Sequence, residues 1–378
     1  MPLEPKHHEI SRKLLAEIVA GKYAPSGRLP SEAQLVQRFK VSRPTVARAF
    51  RDLQDQGLID RRVGSGTFVR SSSSSTANVG ARQLGLMIPG LGTTEIFEAI
   101  SGELASLARG HDYGLLWGGD VRPQGPQTAA VPQVEQWCEQ FIQRQVSGVF
   151  FAPFEHIPHA DDINRRLAER LRQAGIAIVL LDRDIGPFPT RSDLDLVGID
   201  NFAAGYIAAE HLLKLGSRHI CFVTRPLSAQ TVQHRIAGAR EAILDHRLPL
   251  PSEFIRIGEP DDALFIQRLS ESVALDAILC ANDQTAATII RSLERKGRRV
   301  PQDVRLVGFD DVRYASLFSV PLTTIHQPTR EIAVVAFRAM LERIADPTLP
   351  ARSLMLTPSL VIRESCGAYA GRAVAAPK

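Results

Sequence analysis

Residues 31–53 read SEAQLVQRFKVSRPTVARAFRDL, and two amphipathic helices can be read from them. Pro30 precedes Ser31, a hydroxyl residue suited to a helix cap, and Leu35 and Phe39 repeat at the i, i+4 spacing of one helical face. The spacing predicts a helix over 31–39, then a tight connection, Phe39–Ser42. Ser42 caps a second helix whose first turn tolerates Pro44. Val46, Ala49, Phe50 and Leu53 fall at i, i+3, i+4, i+7, one apolar stripe that must face a core. The opposite face carries Pro44, Thr45, Arg48, Arg51 and Asp52, with Arg43 at the helix start. A short helix, a turn and a second helix with basic and hydroxyl residues at its N-terminal end make a helix-turn-helix, which inserts that end in the major groove of DNA. Arg43 or Arg48 could read a guanine edge bidentately, and Thr45 could meet a base or a phosphate. Standing alone, the same face would read as a solvated helix surface.

It does not stand alone. Asp60-Arg-Arg-Val-Gly64-Ser-Gly-Thr-Phe-Val69 follows, two short strands around Gly64, Ser65 and Gly66 that make a hairpin wing. The two glycines let backbone approach DNA closely, and Arg61, Arg62 and Thr67 can meet phosphates. Charge points the same way. Residues 1–70 carry 13 Lys and Arg against 7 Asp and Glu, whereas the rest of the chain carries 32 against 34. A basic head on a nearly neutral body suits a polyanionic partner for the head alone.

Residues 71–82 read SSSSSTANVGAR. Five consecutive serines cannot build a core, so a flexible linker is expected over 71–83, and 12 such residues would span about 20 Å. It separates a head, 1–70, from a body, 84–365. An Ala- and Gly-rich tail, 366–378, should be loose. With 378 residues the chain exceeds one ordinary core. The four cysteines, Cys138, Cys221, Cys280 and Cys366, form no CxxC pair. Cys221 and Cys280 sit in apolar strand-like runs and read as buried thiols of a reducing compartment. Met1–Ile10 holds no apolar signal segment, and the longest apolar runs, such as Ile176–Leu181, are far too short to span a bilayer. A cytoplasmic protein without membrane contact is expected.

The body alternates strand-like and helix-like stretches. Leu84–Ile88, Gly148–Ala152, Ala177–Leu181, Val197–Ile199, Ile220–Val223, Ala277–Cys280 and Val304–Gly308 are apolar runs separated by amphipathic segments. That pattern indicates βαβ units and parallel sheets. The series is too long for one six-stranded sheet, so two sheets with a cleft between them are expected. Ligands of open α/β sheets bind beyond the carboxyl ends of strands. Asp182, Asn282 and Asp310 stand at such ends. Asp, Asn and Arg suit a polyhydroxylated ligand, because each hydroxyl both donates and accepts a hydrogen bond. In isolation Asp310-Asp311 would equally read as a cap or turn, and Arg235 as a surface ion pair. Asp200-Asn201 reads as the cap of a helix over 203–215. Trp117 and Trp137 read as core or interface, and His7, His8, His156 and His159 as solvated residues without metal spacing.

The head resembles the GntR family of winged-helix regulators through Leu29-Pro-Ser-Glu32, Val41-Ser-Arg-Pro-Thr-Val46, Leu53 with Gly57-Leu-Ile59, and Gly64-Ser-Gly-Thr-Phe-Val69. The resemblance implies groove and phosphate contacts by Ser42, Arg43 and Thr45, and a wing tip at Gly64, Ser65, Gly66 and Thr67; Ser31, Pro44, Arg48 and Arg62 complete the candidate DNA contacts. The chain departs from many members in having Ala47 where they carry a basic residue. The body resembles the LacI/GalR repressors and periplasmic sugar-binding proteins. The matching text is Val197-Gly-Ile-Asp-Asn201 with Gly205, Glu210-His-Leu-Leu213, Leu215-Gly-Ser-Arg-His-Ile220, Arg235-Ile-Ala-Gly238, Ala281-Asn-Asp283, Val307-Gly-Phe-Asp-Asp311 and Pro321-Leu-Thr-Thr-Ile325. That resemblance implies ligand contacts at Asp182, Arg235, Asn282 and Asp310. It also sets Glu95 and Ile96 on a pocket wall where relatives often carry aromatics. The combination resembles the arabinose-repressor subgroup.

The expectation is an α/β protein with an N-terminal winged helix-turn-helix and a two-subdomain, periplasmic-binding-protein-like body. As a homodimer it would place two heads on near-palindromic double-stranded operator DNA. A small effector, a sugar or sugar derivative, would close the cleft and release repression of carbohydrate-utilisation genes. The alternative is a co-repressor, a purine or other metabolite, that strengthens DNA binding. No catalytic constellation stands out, so neither an enzyme nor a cofactor is expected.

Overall fold

The computed structural model describes residues 6–19, 22–23, 29–55, 59–62, 66–69, 82–88, 95–118, 130–187, 189–272 and 274–369. They fall into two compact units, Met1–Gly80 and Ala81–Lys378.

Among its described residues the first unit holds three helices, α1 (Lys6–Val19), α2 (Glu32–Phe39) and α3 (Arg43–Asp55), and a hairpin of β1 (Ile59–Arg62) and β2 (Gly66–Val69). The apolar stripe of α3 behaves as its spacing requires. Val46, Ala49, Phe50 and Leu53 are all buried, against Leu35 of α2 and Ile10 and Leu14 of α1. The hairpin is antiparallel, with Ile59 opposite Val69 and Arg62 opposite Gly66. The Leu29 N–H donates to the Thr67 carbonyl at 2.9 Å, which ties the chain ahead of α2 to β2. Gly64 and Ser65 of the expected tip, and linker residues 71–81, lie outside the described residues.

In the second unit, β3 (Arg82–Met87), α4 (Glu95–Gly110), β4 (Tyr113–Trp117), α5 (Ala130–Gln143), β5 (Gly148–Phe151), α6 (Ala160–Gln173), β6 (Ala177–Leu181) and β7 (Asp195–Ile199) come first. Next are α7 (Asn201–Lys214), β8 (Ile220–Thr224), α8 (Gln230–Asp245), β9 (Ile255–Ile257), α9 (Ala263–Glu271), β10 (Ala277–Cys280), α10 (Asp283–Arg295) and β11 (Arg305–Asp310). The unit ends with β12 (Thr323–His326), α11 (Thr329–Ala345), β13 (Ser353–Leu356) and β14 (Ser359–Val361). The strands form two six-stranded sheets, ordered β13-β7-β6-β5-β3-β4 and β14-β12-β11-β10-β8-β9. Among the described residues of this unit, every strand pairing is parallel except β12 with β14. The chain passes between the sheets from β7 to β8, from β12 to β13 and from β13 to β14. The two halves of the unit are therefore joined by three segments.

Two details fix this body. Asp195 of β7 has no exposed surface, and its carboxylate lies 3.0 Å from Arg343 of α11 and 3.2 Å from Arg352 ahead of β13. The pair of guanidiniums outweighs burial and lowers the carboxyl below its ordinary range. In α7 and α8, Gly205 and Gly238 allow backbone contact between helices: a Cβ on Gly205 would lie 1.9 Å from the Arg235 carbonyl oxygen.

Some boundaries and side chains differ from expectation. β3 opens at Arg82, two residues before 84. Cys366 is fully buried and packs into the core, so the expected loose tail does not begin at 366. Trp137 is buried, whereas Trp117 is 45% exposed because β4 is an edge strand. His156, expected in solvent, has a side chain only 11% exposed.

Candidate functional site

In the first unit, Ser31 caps α2. Its hydroxyl accepts from the Gln34 N–H, and the Gln34 amide oxygen accepts from the Ser31 N–H at 2.8 Å, a reciprocal box that satisfies two free donors. Its hydroxyl is therefore committed to the fold. Lys40 takes a left-handed backbone, φ 50°, and the three-residue turn Lys40–Ser42 delivers α3. At the start of α3 the Ser42 and Thr45 hydroxyls are 2.8 Å apart. Ser42, Arg43, Pro44 and Arg48 are exposed or nearly so, and Thr45 is half-exposed. The Arg43 guanidinium lies 3.2 Å from Glu32 yet remains 79% exposed, so it is oriented without being buried. Thr67 departs from the sequence reading. It is only 9% exposed, and β2 turns its side chain into the unit rather than outward toward a phosphate.

In the second unit, strand ends from both sheets converge on one cavity of about 40 Å³. The first sheet contributes Asp182 and Arg183 after β6 and Glu155 and His156 after β5. The second contributes Arg225 after β8, Asn282 after β10, Asp310 at the end of β11 and Gln327 after β12. Ile96 and Phe97 of α4 and Thr231 and Arg235 of α8 complete the wall. Five of the six expected ligand residues, Ile96, Asp182, Arg235, Asn282 and Asp310, thus meet in one place. Ile96, Asp310 and Gln327 also line an adjoining compartment of about 390 Å³, which Glu95 lines in place of the inner cavity.

Arg235 is buried and held from three sides. Its Nε donates to Asn201 Oδ1 at 2.8 Å, its Nη1 donates to the Ala281 carbonyl at 2.6 Å, and its guanidinium lies 4.8 Å from the Phe309 ring centroid. Asn201, read from sequence as a helix cap, positions this arginine, while Asp200 makes the cap by accepting from the Ala203 N–H. Asn282 caps α10 through its Oδ1, which accepts from the Thr285 N–H at 2.8 Å, so its amide nitrogen is the group left for a ligand. Arg183 pairs with Glu155 and lies 3.2 Å from Asp182. Asp182 Oδ1 is buried and meets no donor among the described residues.

The carboxyls feel this burial unequally. Burial pushes Asp310 up to about 7, against the pull of Arg235 and of Gln327, which donates to its Oδ1 at 2.8 Å. Burial also raises Asp182. Glu155 feels the same burial, but Arg183 and His156 beside it prevail and bring it down to about 2. Asp283, the fully buried neighbour of Asn282, is raised well above its ordinary value by burial and by Asp310, while accepting from Thr324 Oγ1 and the Val312 N–H. Asp182, Asp310 and His156 take positive φ values of 68°, 118° and 58°. Such conformations are costly in non-glycine residues and gather at functional sites. Glu155, His156, Arg183 and Gln327 escaped the sequence reading. Each lies within five residues of a strand end, so the rule that found Asp182 would have found them.

Among the described residues no helix is long and apolar enough to cross a membrane. The description "Bacterial regulatory proteins, gntR family" matches residues 6–69, and "Periplasmic binding protein-like domain" matches residues 209–366. The chain is 24% identical over 371 residues to the arabinose metabolism transcriptional repressor of Geobacillus stearothermophilus, covering 96% of this chain and 97% of that protein. It is 30% identical over 239 residues to the HTH-type transcriptional repressor PurR of Mannheimia succiniciproducens, 62% of this chain and 68% of that one. In fold it matches the transcriptional regulator CelR in complex with cellobiose, with TM-score 0.64 and 22% identity over 86% of this chain and 91% of that one. These relatives are transcription regulators, not enzymes. A winged head joined to a two-sheet cleft makes the chain a DNA-binding transcriptional regulator, a member of the GntR-headed family with a periplasmic-binding-protein-like, LacI/GalR-type body.

Proposed function

We propose that this regulator is a cytoplasmic repressor whose cleft binds a neutral polyhydroxylated molecule, a sugar, and that binding releases the operator. One observation carries the reading. The cavity sets three carboxyls, Glu155, Asp182 and Asp310, among three guanidiniums, Arg183, Arg225 and Arg235. Burial raises Asp182 and Asp310, and the guanidiniums are already engaged, Arg183 by Glu155, Arg225 by Glu259 and Arg235 by Asn201 and the Ala281 carbonyl, so no bare charge is left for a strongly charged ligand. A hydroxyl can donate to the unpartnered Asp182 Oδ1 while accepting from Arg235. The relatives support the same class, one an arabinose metabolism repressor and one a regulator in complex with cellobiose.

The inner cavity has room for about three waters, and the adjoining compartment of about 390 Å³, which shares Ile96, Asp310 and Gln327 with it, supplies the further space that a sugar ring needs. Two copies of the chain then place two heads on a near-palindromic operator. Arg43, Thr45 and Arg48 read the groove, Arg62 and the wing tip hold phosphates, and the cleft sets the fraction of DNA-competent molecules. The serine-rich segment carries the coupling between head and body.

The test is the melting temperature of the full chain against neutral monosaccharides and disaccharides, sugar phosphates and purines. A ligand at a hundredfold excess over its Kd adds about 2.7 kcal/mol. A neutral sugar is expected to raise the transition and its phosphate ester is not. Stabilisation by a purine or a phosphate ester, with none by any neutral sugar, would overturn the proposal.

A further inference from the structure

We infer that Glu95 is a clasp between the two halves of the cleft, and that its carboxylate acts on the opposite half rather than on the ligand. It rests on the sugar reading only for its effect on affinity. Glu95 is the first residue of α4, on the half built around β3. Its Oε2 accepts the backbone N–H of Arg313 at 2.7 Å, 218 positions away on the half built around β11. Arg313 opens a short 3-10 turn just after the strained pair Asp310 and Asp311, which have φ values of 118° and 54°.

That pair takes the backbone out of the sheet ladder, and side chains must then receive its N–H groups. The Asp311 N–H donates to Thr324 Oγ1 at 3.3 Å, the Val312 N–H to Asp283 Oδ2 at 3.1 Å, and the Arg313 N–H to Glu95. Two acceptors belong to the same half. The third and shortest comes from across the cleft, and a carboxylate acceptor makes it a charge-assisted bond. The far mouth is fastened similarly. The His156 N–H donates to the Leu227 carbonyl at 2.8 Å, the His156 ring lies 3.0 Å from the Pro226 carbonyl, and the Gln230 amide donates to the Gly186 carbonyl at 2.8 Å.

The chain thus brings its own bonds to closure, and a ligand shifts an existing equilibrium. A clasp changes the closed fraction identically for every ligand, so it scales all affinities by one factor. A direct contact would instead affect each sugar according to its hydroxyls.

The four native cysteines are buried, so spin labels can be confined to Arg109→Cys and Lys296→Cys, exposed positions at the far ends of α4 and α10. Pulsed electron spin resonance on the full chain, without sugar, then reads the closed and open populations. Glu95→Ala is expected to lower the closed-to-open ratio about tenfold, and Glu95→Gln, whose amide oxygen still accepts, to retain most of it. Identical distance distributions for wild type and Glu95→Ala would overturn the clasp. So would calorimetric affinities for D-xylose, L-arabinose and cellobiose that change by different factors in Glu95→Ala. If none of these sugars binds wild type while Glu95→Ala still opens the cleft, the clasp stands and the sugar reading falls.

Discussion

Replacing Asp310 by Asn should stabilise the protein at alkaline pH while weakening its ligand. Asp310 is 8% exposed, and its carboxyl is raised from 3.8 to about 7. A carboxyl raised on folding is protonated in the native state when the unfolded chain has already released its proton. The native state therefore binds more protons between pH 3.8 and about 7, and stability falls as pH rises through that window. At ~1.36 kcal/mol per unit, the full cost above pH 7 is about 4 kcal/mol, and at pH 5 it is under half of that. Asn cannot ionise and still offers an oxygen to Gln327. Removing the Asp310 charge also relieves the raised Asp283 carboxyl, which adds to the gain as pH rises, while the remaining effects displace the mutant by a constant amount. The advantage of Asp310→Asn over wild type should thus grow by roughly 2–3 kcal/mol or more between pH 5 and pH 8. Urea unfolding of the full chain at both pH values, followed by circular dichroism, measures it. A difference that stays flat, or that shrinks toward pH 8, would refute the claim that Asp310 carries a buried, penalised charge.

Arg235→Lys keeps a charge but cannot span Asn201, the Ala281 carbonyl and the Phe309 ring together. Sugar affinity by calorimetry should fall about tenfold or more, and an unchanged Kd would contradict the site. Gly205→Ala drives a methyl into the Arg235 carbonyl, 1.9 Å from the new Cβ, so α7 and α8 must part. About 1–3 kcal/mol of overpacking is expected, read as a melting temperature lowered by roughly 5 °C; a wild-type melting temperature would contradict the close packing. Arg48→Ala should weaken operator binding. If Arg48 meets a phosphate, the slope of log K against log salt becomes shallower by about 0.9. If it reads a base, the slope holds and selectivity relaxes. A variant unchanged in both removes Arg48 from the interface.

Much of this was legible in the sequence where the signal is local. The stripe Val46, Ala49, Phe50, Leu53 is a helical period on four residues, and all four are buried. Asp182, Asn282 and Asp310 follow apolar runs, and the strand-end rule brought them to one cavity. What escaped depends on partners distant in sequence. Asn201 looks like a cap until α8 brings Arg235 to it, 34 positions away. Glu95 looks like a pocket wall until β11 and its turn bring up Arg313. The short strands β13 and β14 carry apolar triplets, Leu354–Leu356 and Leu360–Ile362, but hold only half-exposed and exposed positions, and nothing local says that they enter different sheets. Thr67 was misjudged because a wing strand has two faces, and motif spacing alone does not say which one is buried.

In this regulator the state of the cleft sets the grip of the head on DNA. The direct measurement is fluorescence anisotropy of a labelled duplex, obtained by binding selection with the full chain, titrated with and without the sugar that most raises the melting temperature. Saturating sugar is expected to weaken DNA affinity at least about tenfold, a differential of about 1.4 kcal/mol, and Asp310→Asn to bind the duplex without responding to the same sugar concentration. An operator Kd that is the same with the sugar bound and without it would show that the cleft does not control DNA binding.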